Sequence, residues 1–291
     1  MKSFIPLIIF LISFSFQGCA QKQNFSKVKY PEGYKAQIDV VYTKVNGWEG
    51  RIDLYTNPKA TQPTPIVINI HGGGWNHGNK ESQTAYGSFF KNGYAVANVE
   101  YRLTNVAPAP AAIEDVRCAL IYIHKNAKSL NVDPSKIVVM GGSAGAHLAL
   151  MTGLLGNDTT FDSNCKYSGN IKVAAIIDKY APTDLTILHK VGSSKEWLSG
   201  NYLDRDFVAS VSPLYYITKD SPPIIIVHGD KDPTVPYSQS VKLYKKLQEN
   251  HVKSEFITIK NGKHGGFSKS QKTYFTKKLW VFLKELGLTN E

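Results

Sequence analysis

Short runs of apolar residues alternate with longer helical patterns along most of the chain. Five residues at 66–70 form one such run, and runs of this kind suit strands buried on both faces of a parallel sheet. Further runs lie at 95–99, 137–140, 173–177, 224–227 and 256–259, and helical patterns occupy 111–127, 144–155, 238–250 and 271–286. The alternation predicts an α/β fold, with a mostly parallel sheet and helices on both faces.

Two further segments precede this series. The segments 38–42 and 52–55 are joined through a turn pair, Asn46-Gly47, which predicts an antiparallel hairpin. The segment 184–221 is the least regular, and we expect it to hold loops over the sheet edge. With no internal repeat, the chain is predicted to form one domain at 34–291, after a polar tether at 20–33.

The first 19 residues have the pattern of an export signal. Lys2 precedes an apolar stretch that is too short to cross a bilayer, which takes about 20 residues. The sequence FQGC at 16–19 resembles a bacterial lipobox, in which Cys19 is lipidated, although Phe16 departs from the usual small aliphatic residue. The alternative is ordinary cleavage after Ala20. Both interpretations predict an exported protein, and the lipobox adds attachment to a membrane at the periplasmic or cell surface.

Composition narrows the function classes. The chain is 42% hydrophobic and 20% charged, which is typical of a folded globular protein. Its formal charge of +11 invites a nucleic-acid interpretation, but no nucleic-acid motif accompanies the lysines. We therefore predict no nucleic-acid partner and interpret the basic residues as a solvated face. The alternative is that these basic residues attract anionic lipid headgroups or acidic polysaccharide.

The three cysteines exclude a disulfide-stapled miniprotein. Beyond Cys19, the chain carries Cys118 and Cys165. An oxidising compartment permits a disulfide between these two, and a pair of buried free thiols fits the sequence equally well.

The sequence GGSAG at 141–145 lies between a predicted strand and a predicted helix. This is the strand–turn–helix context that a G-x-S-x-G nucleophile elbow requires. The glycines make room where chain segments cross, and the helix N-terminus directs N–H groups towards the serine oxygen. We predict that Ser143 is a nucleophile, with a purely structural turn as the alternative.

The sequence HGGGW at 71–75 directly follows a buried strand. Consecutive glycines allow backbone N–H groups to face one point, where they stabilise the oxyanion of a tetrahedral intermediate. Together with an N–H from the residue after the nucleophile, this loop predicts an oxyanion hole made of Gly73, Gly74 and Ala144. The alternatives are a flexible loop or a phosphate cradle, but neither a P-loop nor a dinucleotide fingerprint is completed here.

Two loops after late strands carry an acid and a base. HGDKDP at 228–233 follows one strand, and NGKHGGF at 261–267 follows the last. The order Ser143, Asp232, His264 matches the Ser…Asp…His order of one class of hydrolase triads. We predict that His264 takes the serine proton and that Asp232 holds the imidazole in the useful tautomer.

Together these motifs support a family resemblance. They are HGGGW at 71–75, YRL at 101–103, GGSAG at 141–145, PTDL at 182–185 and HGDKDPTVP at 228–236. The set resembles α/β-hydrolases, and more narrowly the bacterial carboxylesterases that include feruloyl and acetyl-xylan esterase-like enzymes. The resemblance covers about 34–287. It implies an α/β-hydrolase fold and a triad acid at Asp232, with Asp230 as a turn residue.

The resemblance also implies a serine ester hydrolase that removes acetyl, feruloyl or other short acyl groups from polysaccharide or small esters. The alternatives are a serine peptidase or amidase of the same fold and a non-catalytic binding protein on a hydrolase scaffold. We expect substrate contacts from Trp75, Trp197 and Tyr202, with packing as the alternative for each.

Other polar residues near the motifs have structural interpretations. We expect His71 to hold the glycine loop, His147 to pack on its helix, and His228 to be structural. Asp184 is expected as a helix N-cap or loop acceptor, with triad acid as its alternative role. No cluster of histidine, cysteine and acidic residues has zinc spacing, so we expect no metal and no cofactor.

Overall fold

The computed structural model of the protein describes residues 27–190 and 192–289. The predicted signal peptide, Cys19 and the first part of the predicted tether lie outside these residues. At the described end of the tether, Tyr30 contacts Tyr55 of the sheet, with ring centroids 5.5 Å apart. Within the described ranges, no helix is both long enough and apolar enough to cross a bilayer.

One sheet of eight strands organises the described part of the chain. The strands are β1 (Lys35–Val45), β2 (Trp48–Thr56), β3 (Thr64–Ile70), β4 (Ala95–Val99), β5 (Val132–Gly142), β6 (Ala175–Lys179), β7 (Ile224–Gly229) and β8 (Ser254–Ile259). Their spatial order is β1-β2-β4-β3-β5-β6-β7-β8. Only the β1–β2 and β2–β4 pairs are antiparallel, so the mostly parallel sheet and the predicted hairpin are confirmed.

Helices cover both faces of the sheet, as predicted. They are α1 (Gly87–Lys91), α2 (Ala111–Leu130), α3 (Ala144–Leu154), α4 (Gly192–Leu198), α5 (Arg205–Ser210), α6 (Ser238–Glu249) and α7 (Lys269–Glu285). Successive side chains of a strand point to opposite faces. Accordingly, Ile68 packs in the apolar cluster under α2, α3 and α6, whereas Val67 packs in the cluster that contains Phe89 of α1 and Leu283 of α7.

The structure corrects two expectations about the elements around the sheet edge. The strand expected at 173–177 is β6 at Ala175–Lys179, because its pairing with β5 runs as far as Gly142 opposite Lys179. The segment 184–221, expected as loops, contains the short helices α4 and α5. At the start of α5, the side chain of Asp204 accepts hydrogen bonds from two backbone N–H groups, which stabilises a helix too short to persist alone.

Cys118 and Cys165 form a disulfide and are not a pair of free thiols. Cys118 on α2 is bonded to Cys165 in the loop after α3. The neighbouring Arg117 donates to the Asp162 carboxylate at 2.7 and 2.8 Å, so a buried ion pair fastens the same loop. Together these contacts tie the segment that leads into β6 to the body of the domain.

We expect the disulfide to contribute strongly to stability, because it closes a loop across 47 positions. A variant with Cys118→Ala and Cys165→Ala should lose about 2–4 kcal/mol of the free energy of unfolding. Urea unfolding of the non-reduced protein and of this variant measures the difference. An unchanged unfolding midpoint would contradict the assignment of a stabilising role.

Candidate active site

Ser143 occupies the tight turn between β5 and α3. Its φ is 56° and its ψ is −125°, a conformation that non-glycine residues rarely adopt and that is found at strained functional sites. The N–H group of Ser143 donates to the Lys179 carbonyl at 2.9 Å, which holds the turn against β6. Because α3 begins at the next residue, the helix N-terminus points at the serine.

Gly145 allows the first turn of α3 to lie directly on the end of β3. A Cβ atom at this position would stand 2.2 Å from the Ile70 carbonyl oxygen, far inside van der Waals contact. The close approach also brings the turn beside the glycine loop, since a Cβ atom on Gly72 would lie 3.5 Å from Cβ of Ser143. The steric reason for the flanking glycines therefore holds in the structure.

The glycine loop presents unpaired N–H groups to the same region. Gly73 and Gly74 have φ values of 119° and 54°, which favour glycine. Among the described residues, the N–H groups of Gly73, Gly74 and Ala144 donate to no acceptor, and all three residues line one cavity. These are the donors that the sequence predicts for an oxyanion hole, and the arrangement is suited to binding a developing negative charge.

His71 supports this loop rather than the chemistry. Its Nδ1–H group donates to the Gly72 carbonyl at 2.8 Å, and its ring stacks on Tyr101 with centroids 4.3 Å apart. Burial lowers the pKa of His71 to about 4, so the imidazole is neutral at physiological pH. The side chain thus fixes the loop conformation without carrying a charge.

The fully buried carboxylate of Asp232 accepts four hydrogen bonds. Oδ1 accepts from the N–H groups of Thr234 at 2.8 Å and Val235 at 2.9 Å. Oδ2 accepts from His264 Nδ1 at 2.7 Å and from His228 Nε2 at 3.1 Å. Burial alone would raise the pKa of Asp232, but hydrogen bonds from the two histidines and the two amides hold it well below its usual range. The carboxylate therefore stays ionised.

These contacts assign the imidazole tautomers. His228 Nε2 faces two acceptors, Asp232 and the Val235 carbonyl, and therefore carries the proton, while its Nδ1 accepts from the Ser240 hydroxyl at 2.7 Å. His264 uses Nδ1–H for Asp232, which leaves its Nε2 available as a base. His228 is thus a buried second donor to Asp232, as the structural interpretation of the sequence expects.

The ring of His264 is held between Asp232 and Tyr180. The Tyr180 ring packs edge-on against it, with centroids 4.7 Å apart, and also against Phe267 at 5.8 Å. His264 and Ser143 line the same cavity, but no hydrogen bond joins them in the described part of the chain. Nucleophile–base hydrogen bonds are often long without substrate and tighten when it binds, so this geometry is compatible with proton transfer.

The cavity has a volume of about 730 Å³ and opens at the carboxyl ends of the parallel strands. Its polar boundary includes the glycine loop at 72–74, Ser143 and His264. Leu188 and Val235 contribute apolar surface. The volume suits a ligand of small to moderate size, with the reacting groups on one wall.

The three aromatic residues expected as substrate contacts are placed differently. Trp75 lines the cavity but is only 1% exposed, because it stacks on Trp197 with centroids 4.7 Å apart. Trp197 is fully buried and Tyr202 packs against the apolar core, and neither lines the cavity. Of the three, only Trp75 therefore borders the space in which a ligand would bind, and the predicted substrate contacts stay a prediction. His147 packs edge-on against both tryptophans and donates to the Val211 carbonyl at 2.8 Å.

Asp184 and Asp230, the other carboxylates considered for the triad, make structural contacts instead. Asp184 caps a short helical turn by accepting from Thr186, and it pairs with Lys242 at 3.1 Å. Asp230 accepts from the backbone N–H of Asn261 at 2.7 Å, which links the two loops that carry Asp232 and His264. Of the three carboxylates considered from sequence, Asp232 alone contacts His264.

Lys179 and Tyr180 are among the cavity-wall residues that sequence reasoning missed. Both lie at the carboxyl end of β6, beside the turn that holds Ser143. A signal was available, because side chains that directly follow a parallel strand cluster at the site edge. That signal becomes specific only when β6 is known to be the neighbour of β5.

Comparison with known proteins identifies the family. The model of the BD-FAE family matches residues 52–247, about two thirds of the chain. The chain belongs to the BD-FAE family. Esterase LipQ of Mycobacterium tuberculosis is 29% identical over 219 residues, which cover 71% of this chain and 52% of LipQ. The chain spans about half the length of the curated relatives it matches.

Solved structures place this BD-FAE member in the α/β-hydrolase fold. A truncated carbohydrate esterase from gut microbiota superposes with a TM-score of 0.78 at 28% identity, over 89% of this chain and 99% of that chain. An acetyl ester-xyloside bifunctional hydrolase from Caldicellulosiruptor lactoaceticus superposes with a TM-score of 0.76 at 23% identity, over 90% and 99%. The predicted fold class is confirmed.

Asp178 introduces a pH dependence beside the site. It is fully buried on β6, its Oδ1 accepts from the Ala181 N–H at 2.9 Å, and its Oδ2 has no partner among the described residues. Burial raises the pKa of Asp178 to about 7 in the folded protein. An acid whose pKa is raised by folding contributes most stability below its unfolded pKa, and that stability is lost as the pH rises towards 7.

Asp178→Asn should therefore be less sensitive to pH than the unchanged protein. From pH 5 to pH 8, the stability of the variant relative to the unchanged protein should increase by at least about 1 kcal/mol. Urea unfolding at the two pH values measures this difference, and Asp158→Asn, at an exposed loop position, is the control. A relative stability that does not change with pH would show that Asp178 is ionised throughout.

Proposed function

We propose that the chain is a serine carboxylic-ester hydrolase that works through an acyl-enzyme on Ser143. One observation carries the proposal. The strained Ser143, the Asp232-bound His264 and three unpaired N–H groups all border one open cavity. A nucleophile, an oriented base and an oxyanion site are the parts that acyl transfer requires.

In the proposed reaction, Ser143 Oγ attacks the ester carbonyl and His264 Nε2 takes the hydroxyl proton. The negative charge that forms on the carbonyl oxygen is stabilised by the N–H groups of the glycine loop and of Ala144. When the tetrahedral intermediate collapses, the C–O bond to the alcohol breaks and His264 returns the proton to the leaving oxygen. Water then attacks the acyl-enzyme by the same route and releases the acid.

Asp232 supports both proton transfers without changing its own charge. Its hydrogen bond to Nδ1 fixes the tautomer of His264 and stabilises the imidazolium that forms in each step. The additional donors at Oδ1, together with His228, keep the carboxylate in one orientation. This arrangement supplies a permanent negative charge on the far side of the base.

We propose short acyl groups, such as acetyl or feruloyl, as the transferred part, with a polysaccharide or small alcohol as the leaving part. The carbohydrate-esterase relative at 28% identity supports this class. Export through the N-terminal signal, with lipidation of Cys19, remains part of the proposal. The Cys118–Cys165 disulfide supports it, because such bonds persist in oxidising compartments.

Ser143→Ala tests the function directly. The variant should lose at least about 10³-fold in kcat on short-chain aryl esters, since one member of the nucleophile–base unit is removed. The same assay should include feruloyl esters, acetylated xylan and aminoacyl amides, and exposed Ser129→Ala is the control. Equal activity in the Ser143 variant would refute the mechanism, and amide turnover without ester turnover would refute the esterase assignment.

A pair of acid substitutions tests the assignment of the triad acid. Asp232→Asn should lower kcat by about 10²–10⁴-fold, because the amide no longer stabilises the imidazolium or fixes its tautomer. Asp184→Asn should leave kcat unchanged, since Asp184 contacts Thr186 and Lys242 instead of His264. Steady-state kinetics on one aryl ester measures kcat for both variants. A larger loss of kcat in Asp184→Asn than in Asp232→Asn would overturn the assignment.

A further inference from the structure

Lys179 places a cationic side chain on the wall of the candidate active site. It is the last residue of β6, opposite Gly142 in the pairing with β5, and its carbonyl accepts the Ser143 N–H at 2.9 Å. The residue is half-buried and lines the cavity that holds Ser143 and His264. No other lysine among the described residues lines this cavity.

In the described part of the chain, the Lys179 ammonium makes no ion pair and no hydrogen bond. Of the residues that the structure describes, no carboxylate lines the cavity with it. Glu196 accepts from Asn76 and Asp232 accepts from two histidines, whereas Asp178, the neighbour of Lys179 in the chain, is fully buried and does not line the cavity. The cavity therefore carries a positive charge that no described residue neutralises.

Lys80 is a buried lysine of this chain with a structural role. Lys80 is 1% exposed, and its ammonium contacts the carboxylates of Asp39, Asp53 and Glu81 at 2.5 to 2.9 Å. The hydrogen bonds that the Lys80 ammonium donates to these acids outweigh burial and raise the pKa of Lys80, whereas burial lowers the pKa of Lys179 to about 8. Lys179 is only half-buried, so its ammonium does not need a protein partner, and a cation that borders the cavity without an acidic partner among the described residues is suited to binding an anionic ligand.

We infer that Lys179 binds a carboxylate of the substrate, so that the preferred substrates are esters that carry an anionic group near the scissile bond. This inference rests on the proposed function and narrows its substrate class, for example to acyl esters of acidic sugars or half-esters of dicarboxylic acids. One ammonium matches the single charge of a carboxylate. The formal charge of +11 favours the approach of such anions.

The position of Lys179 makes it a specificity residue and not a catalytic one. Its backbone adjoins the nucleophile, and the residue lines the cavity that Ser143 and His264 also line. Loss of the ammonium should therefore act on the KM of anionic esters. The backbone hydrogen bond from Ser143 does not depend on the side chain at this position, so the nucleophile stays in place.

Matched substrate pairs test the inference on the full chain. Para-acetoxybenzoate and para-acetoxybenzamide differ in a carboxylate on the alcohol side, whereas monoethyl succinate and ethyl succinamate differ on the acyl side. In at least one pair, the anionic ester should have a kcat/KM about tenfold or more above that of the amide. Lys179→Met should reduce this ratio to near unity through KM, and Lys179→Arg should restore part of it.

The control is Lys272→Met on the exposed face of α7, which should leave the ratio unchanged. A ratio near unity for both pairs in the unchanged protein, or a preference that survives Lys179→Met, would overturn the inference. Binding supplies a readout independent of turnover. In a Ser143→Ala background, calorimetric titration with para-acetoxybenzoate should show weaker binding once Lys179→Met is added.

The experiments distinguish a wrong substrate class from a wrong esterase function. If the unchanged protein hydrolyses neutral esters and shows no Lys179-dependent preference, the substrate class is wrong and the esterase function stands. If it hydrolyses none of the four esters, the proposed function is wrong, and the titration alone decides whether Lys179 binds a carboxylate. Thermal unfolding of each Lys179 variant confirms that the compared proteins are folded.

Discussion

The contact between the start of α3 and the end of β3 determines the geometry of the whole site. Gly145 lies so close to the Ile70 carbonyl that no side chain fits there. With the helix held at this distance, the chain has to turn sharply at Ser143, and the positive φ of that residue follows. The hydrogen bond from Ser143 to Lys179 and the packing of α3 offset the cost of the strain, about 1–3 kcal/mol.

The same contact brings the other parts of the site together. The glycine loop continues from β3, so it emerges beside Ser143 with its N–H groups unpaired. The loops after β7 and β8 meet at Asp232, whose carboxylate accepts from both histidines and from its own turn. Parallel strands place all these loops at one edge, and the single shared carboxylate fixes how two of them meet.

Motifs and periodicity predicted the features that depend on local sequence. The strands, the four long helices and the pairing of Asp232 with His264 were all readable, because each depends on a short segment with a clear physical requirement. The short helices α4 and α5 were not readable, because caps and tertiary contacts stabilise them more than their own sequences do. The disulfide could not be predicted, because it requires the distance between α2 and a distant loop.

The cavity wall was the least predictable part. Trp197 and Lys179 show why, since exposure is a property of the assembled fold. A tryptophan in an irregular segment suggested a substrate contact, yet it is buried under Trp75. Lys179 follows an apolar run, a pattern that predicts no functional role. It nevertheless lies beside the nucleophile, because β6 is the neighbour of β5.

Covalent labelling of the nucleophile tests the central claim most directly. A fluorophosphonate should phosphonylate the native protein at one site, and peptide mass spectrometry should locate the adduct on Ser143. Labelling and loss of esterase activity should follow the same time course. An adduct on a different residue that abolishes hydrolysis, or full activity in protein labelled at Ser143, would contradict the account.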